Sequence, residues 1–294
     1  MNLCDIQEIK ALLTRHGFHF SKSKGQNFLT AAWVPRELAE ASGAGPGCGV
    51  LEVGPGIGCL TEQLSLRAEK VVAVELDQSL RPILAETMAG RDNLTIRFGD
   101  ILRLNLAELV REEFPGLRVM ACANLPYYIT SPVVSALLES RCFESVTVMV
   151  QSEVADRVCA PAGTPEYSAF TVLCGYYAVP ETLSEVPASC FVPQPKVTSA
   201  ILRLTARSEP PCGITDEKLF FRVVRASFGQ RRKTLLNALS SAFGELGKEQ
   251  LAGVIASCGL PPAVRGEVLD MAGFAAVSAA LRELLDAGGA KARG

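Results

Sequence analysis

From about residue 48 to residue 150 the chain alternates between short apolar runs and stretches in which apolar residues return every three or four positions. The runs are Val50–Val53, Lys70–Val74, Leu94–Phe98, Arg118–Ala121 and Ser145–Val150. Their length and β-branched content predict strands. Between them, Leu60–Leu66, Ser79–Met88, Leu106–Arg111 and Pro132–Glu139 have helical spacing. Such alternation implies βαβ units, so the expected fold class is α/β with a mainly parallel, doubly wound, Rossmann-like sheet. Helices near Glu153–Val158 and Ala169–Tyr176 and strands at Ala178–Val186 and Thr198–Leu204 extend it. Residues 207–213 (RSEPPCG) read as a linker. Beyond Asp216 there is no strand signal, and Leu219, Val223, Leu235, Leu239, Leu251, Ile255 and Leu281 suggest a small helical bundle. The expected organisation is a Rossmann-like domain over 1–206, with a basic and aromatic segment at 10–30, then the linker, then an all-helical C-terminal domain over 214–294.

Composition narrows the class. Of 294 residues, 48% are hydrophobic and 20% charged, which supplies a core and excludes global disorder. No apolar run reaches the ~18 residues of a membrane span. The N-terminus carries acids early and lacks the basic–apolar–small order of a signal peptide, so a cytoplasmic, bacterial protein is expected. The ten cysteines form no C-x-x-C pair and sit mostly in apolar stretches, which favours buried, reduced thiols over a zinc site. His16 and His19 are the two histidines; they read as surface residues, and no metal is expected.

Net charge is −2, but it is unevenly distributed. Residues 10–25 hold Lys10, Arg15, Lys22 and Lys24 with no acid. Residues 215–235 hold Lys218, Arg222, Arg225, Arg231, Arg232 and Lys233 against Asp216 and Glu217. Each segment is therefore +4, leaving the rest at −10. A basic run is more often a solvated face. Interleaved aromatics (Phe18, Phe20, Phe28; Phe220, Phe221, Phe228) point the other way, toward a polyanion site.

Leu51-Glu52-Val53-Gly54-Pro55-Gly56-Ile57-Gly58 falls at the first strand-to-helix junction. Glycines there let the backbone turn sharply and approach a ligand, although a purely structural turn gives the same pattern. The second strand ends in Glu75, 21 residues after Gly54, where a carboxylate can accept the ribose hydroxyls of a nucleoside. Cys59 stands where a dinucleotide fingerprint has its third glycine, which favours a cofactor without a pyrophosphate, S-adenosylmethionine being the commonest. Asp100, after the third strand, can accept an adenine amino group or cap a helix.

Asn124-Leu125-Pro126-Tyr127 follows the fourth strand. Asn and Pro make ordinary turns, but here they suit a harder task. An exocyclic adenine amine is a poor nucleophile because its lone pair is delocalised into the ring. Asn124 and a main-chain carbonyl near Leu125–Pro126 can accept its two N–H bonds, drawing the nitrogen toward tetrahedral geometry. Tyr127 offers a face on which a base can stack.

These segments, in this order, resemble the small-subunit rRNA adenine dimethyltransferases, the kasugamycin-sensitivity methyltransferases of bacteria, almost end to end. Ser21–Leu29 is similar to the family's N-terminal motif, with Lys24 where the family has Leu. Leu51–Gly58, Val74–Asp77, Gly99–Asp100 and Asn124–Ile129 resemble its cofactor and catalytic motifs. Gln151–Arg157, Phe191–Val197 and Phe228–Leu235 resemble its later ones. The resemblance implies S-adenosylmethionine-dependent dimethylation of N6 on two adjacent adenosines in the 3′-terminal hairpin loop of 16S rRNA, in the small (30S) subunit or its precursor, by a monomer. It implies cofactor contacts from Asn27, Leu29, Gly54, Gly56, Glu75, Asp100 and Asn124. Asn124, Leu125, Pro126 and Tyr127 hold the target base, and Phe191 closes its second face or is simply a core aromatic. Lys22, Lys24, Arg222, Arg225, Arg231, Arg232 and Lys233 are expected on the RNA surface. Alternatives are a macrolide-resistance methyltransferase acting on 23S rRNA, a DNA adenine methyltransferase, an NAD-dependent oxidoreductase and a non-catalytic assembly factor.

Overall fold

Each expected strand forms, in a computed structural model that describes residues 1–18 and 27–291, with side chains to residue 287. They are β1 (Cys48–Val53), β2 (Lys70–Glu75), β3 (Leu94–Phe98), β4 (Arg118–Asn124), β5 (Ser145–Gln151), β6 (Ala178–Val186) and β7 (Ser199–Ala206). They make one sheet in the order β3-β2-β1-β4-β5-β7-β6. The first five run parallel, and β7 is antiparallel to both β5 and β6. Strand β1 is buried at every position, as a strand covered on both faces must be. Leu51 pairs with Val72 of β2 on one side and with Ala121 of β4 on the other. The strand order reverses there, so a crevice opens beyond the carboxyl ends of β1 and β4.

Two helices ahead of the sheet complete its packing. Ile6–Arg15 begins at Asp5, whose side chain accepts the N–H groups of Gln7 and Glu8. Its Ile9, Leu12 and Leu13 pack with Ile57, Leu80, Ile83 and Leu84. Trp33–Ala41 buries Val34 and Leu38 against Leu60, Leu64 and Val50. The alternation that begins at residue 48 does not anticipate either helix. A two-stranded ribbon is also new: Phe28–Leu29 pairs antiparallel with Phe191–Val192, setting Leu29 opposite Phe191.

The chain divides into two compact units, with one boundary after Ala206 and a segment from within residues 1–206 assigned to the second unit. Met1–Ala155 and Ala178–Ala206 form the first; Asp156–Tyr177 joins the residues from Arg207 onward in the second. The physical reason is aromatic. Tyr176 stacks on Phe220 and Tyr177 on Phe221, with centroids 5.4 and 5.8 Å apart. Both hydroxyls donate to Glu217, at 3.2 and 2.5 Å. At the start of residues 207–213, the Arg207 N–H donates to the Tyr177 carbonyl at 2.8 Å and its guanidinium to that of Gly175 at 3.0 Å. Helices Glu217–Gly229, Leu235–Ala242, Lys248–Ser257 and Met271–Lys291 build the rest of this unit. Phe220, Phe243 and Phe274 are wholly buried, each worth about 1.5–3 kcal/mol.

Candidate active site

The carboxyl ends of β1, β2, β3 and β4 surround one cavity in the first unit. It is lined by Gly54 and Gly56 after β1, Glu75 at the end of β2, Asp100 after β3, and Asn124, Leu125, Pro126 and Tyr127 at the end of β4. Asn27, Leu29 and Phe191 line it as well. The ribbon is what brings these last three residues there. A pairing of two residues per strand joins chain segments more than 160 positions apart, and the Thr30 N–H reinforces it by donating to the Cys190 carbonyl at 2.8 Å.

The glycine loop is held open by its backbone. Gly54 has φ +73°, which an L side chain rarely adopts, and its N–H donates to the Val74 carbonyl at 2.9 Å. At Gly58, φ is +99° and a Cβ would lie 2.5 Å from Met88 Cε, so the turn into the helix Cys59–Ser65 requires glycine. Cys59 donates its thiol to the Leu3 carbonyl at 2.9 Å, tying the start of that helix to the N-terminal segment.

Glu75 is 7% exposed. Its carboxylate accepts the N–H of Gly56 at 3.2 Å and that of Asp77 at 2.8 Å, so it is held in place with acceptor capacity remaining. Burial raises its pKa, and those backbone donors oppose the rise. Two residues before Gly54, Glu52 is fully buried and pushed up to about 8, chiefly by desolvation. The Thr61 hydroxyl opposes that shift and the charge of Glu75 adds to it. Glu52 is thus mostly neutral at pH 7, so two acids in adjacent strands need not both be charged.

Asp100 caps a turn at the cavity edge. One oxygen caps the turn Ile101–Arg103 by accepting the Leu102 N–H at 3.0 Å, and the other faces Arg103 at 3.4 Å, while the residue lines the cavity. Cavity residues not expected as contacts include Leu76, inside the motif Val74–Asp77, and Leu102, which are 59% and 45% exposed. Each directly or nearly follows a strand-end acid, and that adjacency is the signal by which they could have been found.

At the β4 end, Leu125 is buried and Asn124 partly so. The Pro126 carbonyl accepts the Ile129 N–H at 3.1 Å and the Thr130 hydroxyl at 3.4 Å, closing the turn Tyr127–Ile129. Its acceptor sites are therefore committed locally. Tyr127 is half-buried, with its hydroxyl 2.9 Å from Ser199 Oγ; burial raises its pKa. Phe191 is 2% exposed. It is both a core aromatic and a wall of the cavity.

The basic residues fare less uniformly. Lys22 and Lys24 lie outside the described residues, as does His19. Arg225, Arg232 and Lys233 are exposed. Arg222 is occupied within the second unit: it donates to the Ala242 carbonyl at 2.6 Å, pairs with Glu245 and lies 4.0 Å over the Phe243 ring. Arg231 donates to the carbonyls of Pro165 and Tyr167, both at 3.0 Å, and to Glu267 at 3.3 Å. These two arginines brace the second unit while keeping 41% and 42% of their side-chain surface exposed. Of the interleaved aromatics, Phe28, Phe220 and Phe221 are buried, Phe28 also lining the cavity, and Phe20 lies outside the described residues. His16 contacts Glu86 at 2.6 Å. Of the ten cysteines, all unbridged, five are buried, while Cys159 and Cys212 are exposed.

Known proteins similar to this chain identify its family. A family model described as ribosomal RNA adenine dimethylase matches residues 17–256. Ribosomal RNA small subunit methyltransferase A of Geobacillus thermodenitrificans is 48% identical over 279 residues, 94% of this chain and 95% of that protein. The protein of the same name from Geobacillus kaustophilus is 46% identical over the same shares. A solved dimethyladenosine transferase from Plasmodium falciparum has a TM-score of 0.72 at 24% identity, covering 88% of this chain and 98% of its own. The 23S rRNA methyltransferase ErmE has a TM-score of 0.65 at 24% identity, covering 87% and 99%. These two structures, at that identity, speak for the Rossmann-like methyltransferase fold alone. The family match across most of the chain and the Geobacillus identities carry the assignment further: the chain belongs to the ribosomal RNA adenine dimethylase family.

Proposed function

We propose that this protein dimethylates N6 of two adjacent adenosines in the 3′-terminal hairpin loop of 16S rRNA, using S-adenosylmethionine and acting on the small ribosomal subunit or its precursor. The observation that carries the reading is that Asn124, Leu125, Tyr127 and Phe191 line the same cavity as Gly54, Glu75 and Asp100. One space thus offers acceptors for an amine beside acceptors for a nucleoside.

The residues present fit the cofactor. Glu75, already oriented by two backbone donors, suits a ribose diol. Asp100 suits an adenine amino group, and the apolar faces of Leu76 and Leu102 suit a flat heterocycle. Gly54 and Gly56 keep the loop free of side chains where a ligand must come close. S-adenosylmethionine supplies an electrophilic methyl on a sulfonium.

On the other side, the Asn124 carboxamide oxygen and the Leu125 carbonyl accept the two N–H bonds of the target amine. Their pull localises the nitrogen lone pair. The amine becomes acidic only as the new bond forms, so no strong base is required beforehand, and the released proton passes to solvent. Tyr127 and Phe191 hold the base between them, a stacking worth about 1–3 kcal/mol per base. Extruding an unpaired loop adenine costs a few kcal/mol at most. Holding the reactants in line can remove about 7–11 kcal/mol of barrier. Positioning is therefore the main catalytic device.

Arg225, Arg232 and Lys233, together with Lys22 and Lys24, are the side chains we assign to rRNA phosphates. Arg222 and Arg231, each paired with an acid yet partly exposed, are assigned to the same role. The same reading has the protein act as a monomer in the cytoplasm.

Mass spectrometry of rRNA from a strain lacking the protein, before and after complementation, tests the proposal. We expect two adjacent dimethyladenosines to disappear from the 3′-terminal 16S fragment and return on complementation, with 23S rRNA unchanged. Dimethyladenosine lost from 23S rRNA instead would favour the macrolide-resistance type of activity.

A further inference from the structure

The Tyr127 hydroxyl is not directed at solvent. It lies 2.9 Å from Ser199 Oγ, and Ser199 has no exposed surface. Ser199 opens β7, in the interior of the sheet, where it pairs with Gln151 of β5 and Val186 of β6. The residue before it is also fixed, since the Thr198 carbonyl accepts the Ser152 N–H at 3.0 Å. A hydroxyl mounted there has almost no freedom to move. Eight positions earlier on the same segment stands Phe191, held by its pairing with Leu29. The segment 191–199 thus supplies one aromatic wall of the cavity at its start and a fixed anchor for the other wall at its end.

We propose that Ser199 is a positioning residue for methyl transfer: by hydrogen-bonding the Tyr127 hydroxyl it fixes the tilt of that ring and hence its separation from Phe191. The inference rests on the reading of Tyr127 and Phe191 as the two faces that hold the target base. A ring joined to its backbone by two rotatable bonds would otherwise sample several tilts, each placing the amine differently relative to Asn124. Misplacement of a reacting group by about 1 Å can cost a hundredfold in rate. A hydrogen bond that only biases the ring has a smaller effect.

The test is a double-mutant cycle in the full-length protein with Ser199→Ala and Tyr127→Phe, which remove the same bond from opposite ends. Unmethylated small subunits and S-adenosylmethionine are the substrates, and Tyr127→Ala is a reference. Each single variant should lower kcat about five- to twentyfold. KM for the subunit and the affinity for S-adenosylmethionine should stay within about twofold, because phosphates and Glu75 are untouched. The double variant should be no slower than the slower single variant. Ser199→Thr, which keeps the hydroxyl, should recover most of the rate. Full activity in Tyr127→Phe, or losses that multiply in the double variant, would overturn the role of Ser199. Should Ser199→Ala fold poorly, Tyr127→Phe decides alone, since its ring and packing are unchanged. If Tyr127→Ala is also fully active, the stacking role of Tyr127 fails, a result distinct from failure of the Ser199 anchor.

Discussion

Replacing Asn124 with alanine should lower methyl transfer to the small subunit by about 10²–10³, the cost of losing one preorganised polar group at a reacting centre. Asn124 ends β4 at Cα register with Met149 of β5, and Leu125 after it is buried. Truncating the side chain therefore leaves the backbone and the Leu125 carbonyl in place and removes one acceptor. Without it the target amine keeps its conjugation with the purine ring and stays a weak nucleophile. Subunit binding should be largely spared, because its affinity comes from phosphate contacts made elsewhere. A single-turnover assay with a parallel binding measurement separates the two quantities. Methylation at the wild-type rate would remove Asn124 from the mechanism.

The second large effect is expected at Glu75. Two hydrogen bonds from a ribose diol to a carboxylate are worth about 1.5 kcal/mol or more each, so Glu75→Ala should weaken S-adenosylmethionine about a hundredfold by calorimetry. The pH dependence has a definite sign. Burial raises the pKa of Glu75, and the ionised form is the double acceptor. Affinity in the wild type should therefore fall as pH drops through the raised pKa, whereas Glu75→Gln should bind weakly and almost independently of pH. Wild-type affinity in Glu75→Ala would mean that the diol is held by other groups.

Most of the sheet was legible because a fully covered strand is mostly a run of apolar residues, and β1 at Cys48–Val53 is buried at every position, Glu52 being its one acid. The acids and glycines were legible because a doubly wound sheet puts its ligand at the carboxyl ends of strands, so spacing alone places Glu75 beyond Gly54. What stayed hidden depends on contacts distant in sequence. The pairing of Phe28–Leu29 with Phe191–Val192 has two residues per strand and no periodicity to read. Ser199 looks like any serine at a strand start, and only the fold shows the Tyr127 hydroxyl against it. Arg231 sits in a basic cluster that suggests phosphates, and only the fold shows its bonds to the backbone carbonyls of Pro165 and Tyr167 and to Glu267. Aromatic packing of Tyr176 and Tyr177 on Phe220 and Phe221 likewise moved residues 156–177 into the second unit, which composition could not reveal.

The central claim is that methyl donor and target amine share one cavity and meet at Asn124. A crystal structure with S-adenosylmethionine bound tests it most directly. The account predicts the ribose on Glu75, the adenine beside Asp100, and the sulfonium methyl facing the space bounded by Asn124, Tyr127 and Phe191. A donor bound outside this cavity, or one whose methyl points away from the Asn124 carboxamide, would contradict it.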